Sequence, residues 1–228
     1  GDYLSMSNLV NSSGAVATDV TGVGTGRVGL AAATYGGDKA LFAYGDTGSV
    51  VSMSNLVSNS GVIATDTTGV GTARRYPGGA EYGGDKAIFA YGKPNGGNIS
   101  TSNLVNSSGV IASDVTGVGT ARGEIGAAGY GTDKAIFGFG YISGTGVVSM
   151  TNLVSNVGVV ASDVSGVGTA RYYLAAAGYG TDKAIFAYGY ISSVVSMSNL
   201  VNSSGVVASD VSGVGSARYN LAATRYGG

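Results

Sequence analysis

Chemistry in this chain would have to start from its charged residues, and most of them recur. Aspartates stand at Asp19, Asp66, Asp114, Asp163 and Asp210, and arginines at Arg27, Arg74, Arg122, Arg171 and Arg218. A second set is made of neighbours: Asp38–Lys39, Asp85–Lys86, Asp133–Lys134 and Asp182–Lys183. A ring of such carboxylates could hold a cation, and a ring of guanidinium groups an anion. Two acids at the right separation could cleave a glycosidic bond. A ligand seldom needs the same charge five times, however, whereas a repeated fold needs the same turn five times. Asp ahead of Lys at the start of a strand suits an Asx turn. The planar fork of Arg suits a carbonyl or a carboxylate of the next repeat. Both sets are therefore expected to be structural.

Other chemistries have little to work with. The 228 residues include no Cys and no His. The usual zinc, copper and haem ligand sets are absent, as are Cys–His and Ser–His nucleophile pairs. Glu81 and Glu124 are the only glutamates, in different repeats. The Gly-Val-Gly stretches are not followed by Lys-Ser/Thr, which a phosphate loop requires. No catalytic residue, cofactor or metal is expected. Charged residues make up 11% and the net charge is -1. Nucleic acid is thus not an expected partner, because the basic footprint is missing. No apolar run approaches the ~20 residues of a spanning helix, so no membrane insertion is expected.

The elements that position these residues are read from the repeat. "NLV" begins at Asn8, Asn55, Asn103, Asn152 and Asn199, with spacings of 47, 48, 49 and 47. The repeated arginines have the same spacings. One unit, from Arg171 to Gly215, divides into segment A "YYLAAAGYG", segment B "DKAIFAYGY", segment C "SVVSMSNLV" and segment D "GVVASDVSGVG". The breaks "GTD", "ISS", "NSSG" and "SGVGSAR" carry turn chemistry. With 42 Gly and 2 Pro, and without sustained helical periodicity, the chain favours short strands. Apolar residues make up 44%, enough for a core. Four strands per ~47 residues predicts a β-propeller blade. Segment B reads apolar on both faces, as a blade covered by two neighbours requires. Segment A is small, as the crowded innermost strand requires. A β-solenoid is the rival, but its coils usually run ~20–30 residues.

The order "R…LAAAGYG-DKAIFAYG…VSMSNLV…GVVASDV…R" resembles a kelch-type blade. In kelch repeats an Arg precedes the inner strand, and an aromatic-plus-Gly signal ends the second; here that signal is "IFAYG". The fourth-strand Trp of kelch is replaced by Val-Val or Ile. Five blades of this length are also similar to the tachylectin class of lectin propeller, without its Trp-rich motifs. The "KAIF-YG" and "NLVSN" repeats resemble uncharacterised phage and environmental repeat sequences. The resemblance implies an all-β, single five-bladed β-propeller over residues 1–228, with four antiparallel strands per blade.

The repeats differ in two places. All changes of length fall between segments B and C, in "DTGS", "KPNGGN", "YISGTG" and "YISS". The residues after each repeat Arg also vary: "VGL", "RYP", "GEI", "YYL" and "YNL". In a four-stranded meander both patches emerge on one face. Loops on a rigid scaffold are where recognition is usually placed. The candidate binding residues are Arg75, Tyr76, Lys93, Asn95, Glu124, Tyr141, Tyr172, Tyr173, Tyr190, Tyr219 and Asn220. The expected function is non-enzymatic: a binding or structural module, virion- or cell-surface-associated, recognising protein through this face. The alternatives are a lectin with repeated pockets between blades, and a designed or recently amplified repeat protein without a selected ligand. Segments A, C and D occur five times but segment B four times. The expected closing blade, shared by the N- and C-termini, therefore lacks one regular strand, leaving 19. Such an edge invites strand addition or self-association.

Overall fold

A computed structural model describes residues 3–225, and among these there is no helix. Fourteen strands run in chain order: β1 (Ala31–Tyr35), β2 (Lys39–Ala43), β3 (Ser54–Val57), β4 (Gly78–Tyr82), β5 (Lys86–Ala90), β6 (Ser102–Val105), β7 (Gly126–Tyr130), β8 (Lys134–Gly138), β9 (Tyr141–Ile142), β10 (Gly146–Val147), β11 (Thr151–Val154), β12 (Ala175–Tyr179), β13 (Lys183–Tyr190) and β14 (Val194–Val201). They form four antiparallel three-stranded sheets, β1-β2-β3, β4-β5-β6, β7-β8-β11 and β12-β13-β14, plus the small hairpin β9-β10. The sheets are separate, and none closes into a barrel. In every sheet segment B is the central strand, between segments A and C.

Register follows side-chain size. The Phe of segment B stands opposite a small residue of segment A: Ala32–Phe42, Gly79–Phe89, Ala127–Phe137 and Ala176–Phe186. On its other side it stands opposite the repeat Asn, as in Phe137–Asn152. The small residues also let neighbouring sheets approach. A Cβ on Gly79 would lie 2.7 Å from the carbonyl oxygen of Ala32 in the preceding sheet. The segment A strands thus pack in succession, β1 on β4, β4 on β7 and β7 on β12.

Segment D differs from the expected fourth strand. It touches segment C at only two bridge pairs per repeat, for example Ser54–Thr67 and Val57–Ile63. These pairs are three residues apart in segment C and four apart in segment D, so segment D carries one extra residue, as in a β-bulge. The Asn of segment C occupies the slack: Asn55 Nδ2 donates to the Ala64 carbonyl at 3.1 Å and to Asp66 Oδ1 at 2.9 Å. The sheets therefore have three regular strands, with segment D alongside. The bulge turns the repeat Asp out toward the preceding repeat.

Three buried clusters fill the spaces between successive sheets. Each centres on a Phe of segment B and an aromatic of the preceding sheet. Ring centroids are 5.6 Å apart for Tyr44–Phe89, 5.5 Å for Tyr91–Phe137 and 5.2 Å for Phe139–Phe186. Such pairs contribute about 0.5–1.5 kcal/mol beyond the area they bury. Tyr44, Tyr91 and Phe139, and Tyr188 in the last sheet, hold φ of 61–65°. For a bulky residue that conformation is strained by roughly 1–2 kcal/mol, and the aromatic packing holds it.

Candidate binding face

The residues that bind the repeats together come first, because they separate scaffold from face. Arg122 is fully buried between two sheets. Its Nη2 donates to Asn152 Oδ1 at 2.6 Å, its Nη1 to the Thr120 carbonyl at 3.0 Å and its Nε to the Phe139 carbonyl at 3.0 Å. Its guanidinium lies 4.4 Å from the centre of the Tyr91 ring. Asp163 is 3.8 Å from Arg122 Nη1. It also accepts from the Thr120 hydroxyl at 2.6 Å, the Thr120 amide and Asn152 Nδ2. A Cβ on Gly119, where φ is +74°, would lie 2.4 Å from that carboxylate, which explains the second Gly of Gly-Val-Gly.

The same lock joins Arg74 to Asn103 and Asp114, Arg171 to Asn199 and Asp210, and Arg27 to Asn55 and Asp66. Burial alone would raise the carboxyl pKa of Asp66, Asp114, Asp163 and Asp210. Hydrogen bonds from the Thr hydroxyl, the Asn amide and the Thr backbone outweigh it, and all four lie below the usual range. Burial likewise lowers the guanidinium pKa of Arg27, Arg74, Arg122 and Arg171, partly offset by the neighbouring acids. The lysines of the second set pair with the Asp beside them, at 2.7–3.5 Å. Among the described residues Asp19 accepts only from Asn8, and Arg218 has the Tyr188 ring 4.1 Å away but no acid or Asn partner.

The variable loops lie together. Val28 bridges Asp46, Arg75 bridges Lys93, Gly123 bridges Tyr141, and Tyr172 bridges Tyr190. Each bridge joins the segment after a repeat Arg to the loop after segment B. One residue further on, five backbones meet. Tyr76 N–H donates to the Gly29 carbonyl at 2.6 Å, Glu124 to Tyr76 at 3.1 Å, Tyr173 to Glu124 at 3.2 Å and Asn220 to Tyr173 at 3.0 Å. All five residues have φ between 52° and 64°. Left-handed backbone at Tyr76, Glu124 and Tyr173 is strained, and the run of hydrogen bonds holds it. These residues surround a cavity of about 330 Å³.

Six tyrosines form one continuous cluster on this face. Tyr172 contacts Tyr141 at 5.3 Å, Tyr173 at 4.8 Å and Tyr190 at 5.6 Å. Tyr219 contacts Tyr190 at 5.4 Å and Tyr173 at 6.1 Å, and Tyr76 contacts Tyr173 at 5.5 Å. Glu124 lies beneath them, buried, accepting from Lys93 Nζ at 3.3 Å and Tyr173 Oη at 3.3 Å. Burial and the Glu124 charge push the Tyr173 hydroxyl pKa far up, and that of Tyr172 upward. Lys93 also lies 5.5 Å from the Tyr141 ring, and Arg75 5.7 Å from that of Tyr76.

A scan against protein-family models and a search of curated proteins each returned no match.

The structure thus brings together nine of the eleven candidate residues: Arg75, Tyr76, Lys93, Glu124, Tyr141, Tyr172, Tyr173, Tyr190 and Tyr219. Asn220 belongs through its backbone and the cavity wall. Asn95 does not; it sits exposed in a turn, outside the aromatic contacts. Two residues were missed. Asp46 accepts from Arg75 Nη1 at 2.9 Å, and Asn98 accepts from the Ser143 amide at 2.7 Å. Asp46 takes the repeat position held elsewhere by Lys93, Tyr141 and Tyr190, which was the available signal. The opposite face is uniform. There the turn of one repeat donates to the next, Gly36 N–H to the Asp85 carbonyl, Gly83 to Asp133 and Gly131 to Asp182.

Proposed function

We propose that this protein is a non-enzymatic five-bladed β-propeller, kelch-like in layout and virion- or cell-surface-associated, that presents its tyrosine-rich loop face to a protein partner. Two features support the architecture. The four segment A strands and residues 223–225 line one cavity of about 500 Å³. The run of backbone hydrogen bonds from Gly29 to Asn220 visits five repeats.

The observation that carries the function is the six-ring cluster. Its side chains are contributed unequally by the repeats, while the locks behind it use the same residues each time. Tyrosine offers large, stiff contact area with a polar tip, which suits protein recognition. All the repeated acids but Asp19 are engaged in the locks or with Lys, which favours a scaffold over a hydrolytic role. A second reading, a lectin, is favoured by the same rings, which could stack on a sugar above Glu124. It gains less from pockets between blades, since Arg74, Arg122 and Arg171 fill those spaces.

The test displays the protein in multivalent form on a glycan array and on a panel of cells and virions, beside a variant carrying Y141A, Y172A, Y190A and Y219A. Binding that is lost in the variant and abolished by protease treatment of the target supports protein recognition. Binding that survives protease and is lost after glycosidase replaces it with the lectin. Silence on every target overturns both.

A further inference from the structure

The first C–D unit, residues 3–27, is built like the others but its apolar side is uncovered. Val10 is 62% exposed, whereas among its counterparts Val57 is partly buried and Val105, Val154 and Val201 are fully buried. Val16 is exposed too, whereas its counterparts Ile111 and Val207 are buried. The cause is a sheet edge. In the other four repeats segment C pairs on one side with segment D and on the other with segment B. Residues 7–10 pair with segment D, through Ser7–Val20 and Val10–Val16, and have no strand on the other edge among the described residues. Beside this edge lies a cleft of about 240 Å³ lined by Leu4, Met6, Val23, Arg27, Leu30 and Phe42. Arg27 makes its bonds to Asn55 and Asp66 but, among the described residues, has no aromatic ring against its guanidinium, unlike Arg74, Arg122, Arg171 and Arg218. Phe42 is half-buried, whereas Phe89, Phe137 and Phe186 are fully buried against an aromatic of the preceding sheet.

We infer that this cleft is an acceptor site for an extended β-strand of segment B chemistry, Ala-Ile-Phe-Ala-Tyr-Gly, that comes from outside residues 3–225. The inference rests on the five-fold architecture proposed above. The other repeats set the register: Ala, Ile, Phe and Ala pair with Val10, Leu9, Asn8 and Ser7, as residues 184–187 pair with residues 198–201. The Tyr ring then slides against Arg27 and Phe42, as Tyr44 lies against Arg74 and Phe89. Backbone hydrogen bonds supply affinity and the two aromatic positions supply selectivity. A second copy of the chain is a poor donor, because each segment B it has is the central strand of its own sheet.

The test uses the whole chain and a fluorescein-labelled peptide with the sequence of residues 181–190. Fluorescence anisotropy is expected to show saturable one-to-one binding. At least a ten-fold loss is expected when the peptide carries Phe186→Ala, or when the protein carries V10K, a change at an exposed side chain that leaves folding intact. Amide exchange at residues 7–10 should slow when the peptide binds. No saturable binding at millimolar peptide overturns the inference, as does binding indifferent to Phe186→Ala. So does a peptide-free dimer with residues 7–10 already protected. Small-angle scattering separates the two levels. A compact ring that ignores the peptide removes the acceptor site alone, whereas an extended arc removes the architecture beneath it.

Discussion

Arg122 and Arg218 hold the same place in the repeat, yet their surroundings differ. Arg122 has an aromatic ring, an Asn, an Asp and two carbonyls around it, and is fully buried. Among the described residues, Arg218 has the ring alone and is exposed; Arg27 is the complement, with Asn and Asp but no ring. Glycine follows the same rule. Gly119 is crowded by Asp163 and Asn152, whereas Gly215 has only the Tyr188 hydroxyl, 3.7 Å from where its Cβ would lie. The full set of ring, Asn and Asp partners assembles only where two complete sheets meet. The repeat motif therefore encodes a junction between repeats rather than the stability of any one repeat, as in other repeat architectures.

The contrast is broken most directly at the arginines. Arg122→Ala strands Asn152, the Phe139 carbonyl and the Asp163 carboxylate, and is expected to cost roughly 3–5 kcal/mol. Arg27→Ala, which loses polar partners in a half-built lock, should cost about 2 kcal/mol. Arg218→Ala loses one exposed ring contact and should cost less than about 1 kcal/mol. Denaturant unfolding of the three variants checks the order.

Acid sharpens the comparison. Asp66, Asp114, Asp163 and Asp210 have folded-state pKa values below the ordinary one. Their contribution is fully present above the unfolded value of ~3.9 and is lost as pH falls through the folded value. The melting temperature should therefore fall steeply below about pH 4. D163N should flatten that dependence, because the amide keeps the shape but cannot titrate.

The smallest stability effect belongs to the variable face. Tyr172→Ala removes three ring contacts from a half-exposed site and should cost about 1 kcal/mol or less, measured by the same unfolding. A loss as large as that of Arg122→Ala would make the tyrosine cluster part of the scaffold.

Much of this was legible in the sequence because repetition compares the chain with itself. The segment boundaries, the small residues of segment A and the grouping of the variable loops all follow from spacing and residue size. The strand character of segment D did not. Its alternation reads as a strand, but the Asn amide that replaces backbone bonds, as at Asn55 with Ala64, leaves no periodic trace. The left-handed run through Tyr76, Glu124 and Tyr173 was equally hidden. Those residue types do not announce positive φ, and only alignment with Gly29 and Asn220 hints at it. Asp46 is marked by its position in the repeat, aligned with Lys93, Tyr141 and Tyr190, and not by the length of its loop.

Amide hydrogen exchange on the intact chain, read residue by residue, tests the central claim that complete junctions hold the molecule together and the first unit stands outside them. Slow exchange is predicted at Ser102, Thr151, Glu124 and Tyr173, which sit in or beside complete locks, with fast exchange at the outward amides of residues 7–10. Equal protection at both sets would contradict the account.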